Sequence, residues 1–392
     1  MKDMADVVVI GGGLYGTSIA WRLAEMNAGR VVIVEKSGIA SGATGRSSAN
    51  VQFNYSIEFL ALIGLRAREV FQNFQEVTGG DSGFRQTGQF VLHAPEDTAA
   101  ARDNSAMLQR AGLRISLISL DDVRKAEPLI DTSGVGVAFW EPEAGYADPV
   151  LTANSYAAAA KSRGAQFHGD TFVERIITSN GRVSGVQTDK GPISAPLVVV
   201  AAGYRSAELV RPLGVDVPLR PERHTISIVE RGGDYRGTHP IVADRPLGIY
   251  FRPDGTRDTL IGSHIASHAY DDSEVEIHKR PNPAVESALA ELFLRRYPSG
   301  GTSRMRRGYT GVYDCSPDLQ FILGPVRAVP GLHLACGFSG HGFKFSPVIG
   351  QLVAERALTG RNAEFDISMF AVERFAEGRL ISPTTPYLRQ KT

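Results

Sequence analysis

Cysteine is scarce in this 392-residue chain: Cys315 and Cys336 are the only two. So few thiols exclude a disulfide-built scaffold and read as two isolated thiols in a reducing compartment. No Cys-x-x-Cys occurs, which removes disulfide reductases and zinc ribbons. No His-Glu-x-x-His occurs, and the nine histidines are scattered without metal-ligand spacing, so no metal site is expected. Gly-x-Ser-x-Gly is missing as a strand-to-helix elbow, which argues against a serine hydrolase. Neither charge sign is in excess, with 42 basic and 42 acidic residues. Nucleic-acid binders carry a basic surplus, so no nucleic-acid partner is expected. Long apolar runs are also missing. Stretches such as Leu197–Ala202 fall far short of the roughly 20 residues of a transmembrane helix, and no secretory leader precedes Val7. The expectation is a cytoplasmic protein without a transmembrane segment. Peripheral association with a membrane partner stays open.

What is present begins with Val7-Val8-Val9-Ile10, a short β-branched run that reads as a strand buried on both faces. Tyr15–Met26 has helical spacing, and Val31–Val34 is a second buried strand ending at Glu35. Small polar residues then fill 37–54, where close backbone approach to a bulky ligand explains them better than packing. The spacing predicts a long amphipathic helix over Glu58–Val77, strand over Phe84–Leu92, and helices over Asp97–Ala111, Asp121–Glu127 and Leu151–Ser162. Strands are expected in Gln166–Gly191 around the turn at Asn180-Gly181. Further strands follow at Leu197–Ala202, Thr225–Glu230, Gly248–Arg252 and Leu332–Cys336, with helices at Asn282–Tyr297 and Pro347–Leu358. Nucleotide-binding strands thus lie at both ends and near Val200, with different material between. The fold class expected is α/β: a discontinuous Rossmann-like domain (1–83, 148–217, 308–375) with an inserted antiparallel-sheet, α+β domain (84–147, 218–307). Residues 376–392 form a polar tail.

Gly11, Gly13 and Gly16 match G-x-G-x-x-G, each with a mechanical task. Gly11 permits the tight turn, Gly13 clears the pyrophosphate, and Gly16 lets helix and strand approach. The helix start after Leu14 and Tyr15 offers N–H groups to phosphate. Glu35 stands where a carboxylate accepts from a ribose diol. The motif serves NAD and FAD alike. Three features favour FAD: the loop Ser41–Asn50, the strand-to-glycine element ending at Ala202-Gly203, and the second glycine-rich turn Gly337–Gly342.

With those elements in place, the sequence resembles the D-amino-acid oxidase, glycine oxidase and sarcosine oxidase family of flavoenzymes. Val7–Glu35, Ser41–Ser48, Leu197–Gly203 and Gly337-Phe-Ser-Gly-His-Gly-Phe-Lys-Phe-Ser-Pro347 carry the resemblance. It implies FAD contacts at Gly11, Gly13, Leu14, Tyr15, Gly16, Glu35, Lys36, Ser41, Thr44, Gly45, Arg46, Ser47, Ser48, Val173, Ala202, Gly203, Gly337, Phe338, Gly340, His341, Gly342, Phe343 and Lys344. It places Arg46 over the flavin ring. Lys344 matches a lysine that meets the substrate carboxylate, against a plain reading as a surface lysine. Tyr250 and His264 fall among substrate-pocket residues, although a satisfied core histidine fits His264 nearly as well. Gln52 is a looser pocket candidate. Arg252, two residues beyond Tyr250 on the same strand face, suits either a carboxylate fork or a structural ion pair.

Two departures carry information. The family's cysteine for covalent flavin attachment precedes a Tyr-Thr pair; here that pair is Tyr309-Thr310 and Arg307 stands in its place. The histidine of another covalent branch is absent from Ala43–Arg46. Non-covalent FAD is therefore expected. The lysine that activates oxygen aligns with Leu260, so the acceptor is either O2 or an electron-accepting partner. The expected activity is oxidation of the C–N bond of a small amino acid or N-substituted glycine. The alternatives are a flavin-bearing subunit of an amine dehydrogenase complex and a non-catalytic nucleotide-binding regulator.

Overall fold

The computed structural model describes residues 3–232, 237–263, 280–298, 302–306 and 308–383. A six-stranded sheet runs Gln166–His168, Val31–Val34, Val7–Ile10, Leu197–Val200, Leu332–Cys336, Ile322–Pro325. All neighbours are parallel except the last pair. Alternate residues of each valine-rich strand feed different cores. Val7, Val9, Val31 and Ile33 join one apolar cluster, whereas Val8, Ile10, Val32 and Val34 join another. Burial on both faces is why these strands read as unbroken apolar runs.

Helices Leu14–Glu25, Pro149–Ser162 and Ser346–Thr359 pack together beside the first cluster. Ser18 donates to the Ser346 carbonyl at 2.8 Å, and Trp21 stacks on Tyr156 at 5.3 Å. A smaller sheet (Asp3–Met4, Gly191–Ser194, Arg182–Thr188, Val173–Ser179) supplies Val173, Ile176, Val183 and Val186 to the second cluster. Its hairpin turns at Asn180 and Gly181, both at positive φ (51° and 75°), as a two-residue turn of the right-twisting kind requires.

The second large sheet takes strands from 89–141 and 220–315. It is antiparallel apart from Ile241–Asp244, which runs parallel to Gln89–Leu92. One long strand, Arg220–Glu230, serves two partners. Its first half pairs with Tyr309–Cys315 and its second half with Asp258–Ser263. Tyr309–Cys315 therefore belongs to this sheet, although the boundary read from sequence assigned 308 onward to the nucleotide-binding part. Helix Pro283–Arg296 covers one face through Leu289 and Phe293, which meet Phe251.

Two sequence expectations change. The helix from Glu58 breaks at Asn73 into Glu58–Gln72 and Phe74–Thr78, because the Asn73 amide bonds back to the Glu69 carbonyl at 2.9 Å. The strand expected over Phe84–Leu92 splits into Arg85–Gln86 and Gln89–His93, where Gly88 turns beneath Trp140 at φ 71°. Both cysteines are buried and free. Among the described residues no helix is long and apolar enough to cross a membrane.

Asp244 and Arg296 form a buried two-point ion pair, Oδ2···Nε 2.6 Å and Oδ1···NH2 3.1 Å. Removing one partner strands the other charge, so Asp244→Ala is expected to destabilise the protein by about 3–5 kcal/mol in urea titration. A change below about 1 kcal/mol would show that the pair is dispensable.

Candidate active site

Gly11 leaves its strand at φ 112°, a conformation that strains any side chain. A Cβ on Gly16 would overlap the Gly11 carbonyl oxygen. That close approach seats helix Leu14–Glu25 directly behind the first strand. Glu35 reaches across from the second strand: Oε2 accepts the Gly12 N–H at 2.7 Å, and Oε1 accepts the Ser37 N–H at 2.9 Å. Thr44 Oγ1 accepts the Leu14 N–H at 3.0 Å. Arg46 folds back onto its own loop, donating to the carbonyls of Ser41 (2.7 Å) and Gly42 (2.9 Å). Ser47 Oγ accepts the Ala49 N–H, and Gly45 packs against Ala40. Ala202-Gly203 begins one residue beyond Leu197–Val200, Val173 is buried in the second apolar cluster, and Lys36 is exposed beside Glu35.

The second glycine-rich turn meets the first. Tyr15 donates through its hydroxyl to the Gly342 carbonyl at 2.6 Å, and its ring stacks on Phe338 at 3.6 Å. Gly340, at φ 77°, lies under the Tyr313 ring, where a Cβ has no room. Phe343 packs on Phe71. Phe167 is a residue that sequence reading missed: it stays 38% exposed beside Gly12, next to the Glu35 carboxylate. An exposed aromatic there is the kind of surface a planar base covers. The donor set fits a dinucleotide: a glycine turn at a helix start, a ribose-type acid and a second glycine cradle.

The turn Phe343–Phe345 sets Lys344 beneath the surface, at 5% exposure. Its ammonium donates to the Tyr55 hydroxyl at 2.7 Å, and Gln52 Nε2 donates to the same oxygen at 3.4 Å. Phe345, Phe321 and His341 complete an aromatic wall around Tyr55. The surprise is Arg245, on the turn after Ile241–Asp244. Its Nε is buried without a hydrogen-bond partner, and among the described residues it forms no ion pair. Burial lowers its pKa, and Tyr55 opposes that shift. Burial also brings Lys344 down to about 7, with Glu141 pulling upward and Arg245 pushing down. Glu141, 2% exposed, is raised to about 7 by burial. His341 is lowered to about 4 by burial. Its ring is neutral, so Nε2–H donates to the Leu319 carbonyl at 2.8 Å and Nδ1 remains a buried acceptor without a partner.

Arg252 makes its bonds to the small-residue loop and to its own strand end. Nε donates to the Ser48 carbonyl at 2.7 Å, NH1 to the Pro253 carbonyl at 2.7 Å, and NH1 also meets Asp254 at 3.1 Å. The guanidinium lies over the Tyr146 ring at 4.6 Å. Of the two readings open from sequence, the structural one fits these bonds: Arg252 ties the small-residue loop to the second sheet. Tyr250 is buried and shares side-chain hydrogen bonds with Ser48 and Tyr313. Leu260 packs with Tyr250 and Ile226 in a small apolar cluster. His264 and Arg307 lie outside the described residues.

A parallel sheet with a glycine turn, a ribose acid and a second glycine cradle, set against an inserted sheet, defines a flavin-type dinucleotide enzyme. Residues 6–356 match the FAD dependent oxidoreductase family, and the chain belongs to it. Monomeric sarcosine oxidase from a Bacillus species (strain B-0618) is 26% identical over 397 residues, covering 98% of this chain and 100% of that protein. The crystal structure of L-proline dehydrogenase from P. horikoshii superposes with a TM-score of 0.89 at 27% identity, covering 97% of this chain and 100% of that one. Glycine oxidase from Geobacillus kaustophilus shares the fold, with a TM-score of 0.83 at 22% identity and coverage of 95% and 99%. The protein is an FAD-dependent oxidoreductase.

Gly16→Ala pushes the helix away from the turn, so the purified variant is expected to lose its flavin, read as the ratio of 450 nm to 280 nm absorbance. A yellow variant would show that the close approach is not needed. Acid precipitation of the wild type is expected to release all flavin to the supernatant, because Arg307 offers no thiol for attachment. Colour remaining in the pellet would contradict non-covalent binding.

Proposed function

We propose that the protein oxidises the C–N bond of a small amino acid or N-substituted glycine, with Lys344 and Arg245 holding the substrate carboxylate. One observation carries the reading: buried Lys344 and half-buried Arg245, whose Nε is buried without a partner, feel each other's charge, and neither has a carboxylate in salt-bridge contact among the described residues. A buried charge without a counter-ion is costly, and a ligand anion relieves that cost. The guanidinium presents a planar fork and the ammonium a point charge, which together orient a carboxylate. The relatives named for sarcosine and L-proline support the same substrate class.

FAD, when bound, supplies the acceptor for the hydride of the C–H bond beside nitrogen. The chain's own residues place that bond. Lys344 and Arg245 fix the carboxylate end, and Gln52 and Tyr55 line the approach. Phe345 and Phe321 exclude water around them. The carbon that gives up hydride becomes that of an iminium ion, which water hydrolyses to a carbonyl compound and an ammonium ion. No side chain need take the proton if the amine enters neutral, and neutral His341 Nδ1 is positioned as an acceptor only.

Lys344→Ala and Arg245→Ala are each expected to raise KM about tenfold or more, since a charged hydrogen bond contributes roughly 1.5–3 kcal/mol. FAD content should stay at the wild-type level. An unchanged KM in both would remove the clamp. Leu260 favours a second reading of the oxidative half: a buried leucine in an apolar cluster offers no fixed charge to a developing superoxide. Electrons then pass to a partner. Anaerobic reduction by amines followed by admission of air is expected to give slow reoxidation. Rapid reoxidation with stoichiometric peroxide would mark an oxidase.

A further inference from the structure

Glu141 belongs to no motif and lies at the end of strand Val137–Glu141, in the inserted sheet. It is buried to 2% exposure. Oε1 accepts the Phe53 N–H at 2.8 Å, while Oε2 is buried with no partner. Phe53 packs its edge on Phe345, the neighbour of Lys344, at 6.4 Å between centroids. The segment it anchors carries Gln52 and Tyr55, whose hydroxyl receives the Lys344 ammonium. Glu141 therefore touches the pocket twice: through a backbone bond to the wall, and through its field at Lys344.

We propose that Glu141 is the positioning residue of this pocket: its carboxylate keeps the Lys344 ammonium charged and anchors the Gln52–Tyr55 segment, so it governs how tightly an anionic substrate is held. This inference rests on the carboxylate clamp proposed above. The charge inventory supports it. The groups around Lys344 are Tyr55 from the segment after the small-residue loop, Arg245 from the turn after Ile241–Asp244, His341 from the glycine turn, and Glu141 from its strand. His93 faces Arg245 and is neutral, lowered to about 3 by burial. Arg68, near Glu141, is already paired with Glu143. Glu141 is thus the one carboxylate among these groups that is not taken up by a cation of its own. Burial brings Lys344 and Glu141 both to about 7, so near that pH their ion-paired form beside the charged Arg245 gives the pocket one net positive charge. An amino acid whose amine is neutral carries one negative charge, and the neutral amine is the form that gives up hydride. The pocket's charge thus matches the reactive form of its ligand.

The sign of the pH effect follows. Lys344 is charged below about 7 and loses its proton above. Carboxylate affinity is full below that point and falls as pH rises through it. Removing the Glu141 charge makes the ammonium easier to deprotonate, so the fall moves to lower pH.

The test uses full-length, FAD-loaded protein and benzoate as probe, titrated between about pH 6 and 9 while flavin absorbance is followed. Wild type is expected to bind benzoate with an affinity that falls through one inflection, to which Lys344 and Glu141 both contribute, and Lys344→Met is expected to bind benzoate more weakly below it. Glu141→Gln should move the inflection down by about one pH unit, which is about tenfold weaker binding above it. Glu141→Asp, which keeps the charge, should hold the inflection near the wild-type position. In turnover the same loss should fall on KM. Glu141→Met, neutral and of similar size, serves if Glu141→Gln does not retain FAD. An inflection in either neutral variant at the wild-type pH overturns the proposal, as does an equal shift in Glu141→Asp. Wild type that binds no benzoate at any pH overturns the clamp itself, and this inference with it.

Discussion

A buried cation and a half-buried one that feel each other's charge set the terms for everything around them. Lys344 and Arg245 repel one another, and burial weakens the hold of each on its proton. The fold tolerates this only because rigid parts surround the pair. Lys344 is fixed by a tight turn packed among phenylalanines, and its ammonium is tied to Tyr55. Arg245 sits one residue past Asp244, which is itself held by the buried pair with Arg296.

The nucleotide end was legible because its chemistry is written as spacing. Gly11, Gly13, Gly16 and Glu35 occupy fixed places in one strand–helix–strand unit, and each departure from ordinary composition has a local cause. The valine runs were legible for the same reason. Arg245 was not. It stands alone in sequence, on a turn with no motif, and its significance lies in what it lacks among the described residues: an ion-pair partner. That is a property of packing, and pattern cannot hold it. Arg252 stood open between a carboxylate fork and a structural ion pair, a choice that turns on packing. Its alternation with Tyr250 is correct, but the loop carbonyl of Ser48, 204 residues away, claims its guanidinium. The break at Asn73 was invisible because periodicity persists across it.

The two sheets have separate work but a shared seam. The six-stranded sheet brings two glycine turns to its carboxyl edge, the place where doubly wound folds gather ligands. The inserted sheet delivers Arg245, Glu141 and Tyr250 to the same place. Arg252, Glu141 and Tyr313 cross the seam through contacts to Ser48, Phe53 and Gly340. Cofactor loop and substrate wall are therefore not independently adjustable: a shift in one sheet changes the shape of the other's site.

The bond from Tyr15 to Gly342 joins residues 327 positions apart, and Lys344 meets Tyr55 across 289. Contacts of such separation close late, since the entropy of a long loop must be met before they contribute. During synthesis the ribosome must release nearly the whole chain before the glycine cradle exists. The nascent protein therefore passes through most of its translation without the complete cradle, with the strand Leu332–Cys336 still to be inserted between Leu197–Val200 and Ile322–Pro325.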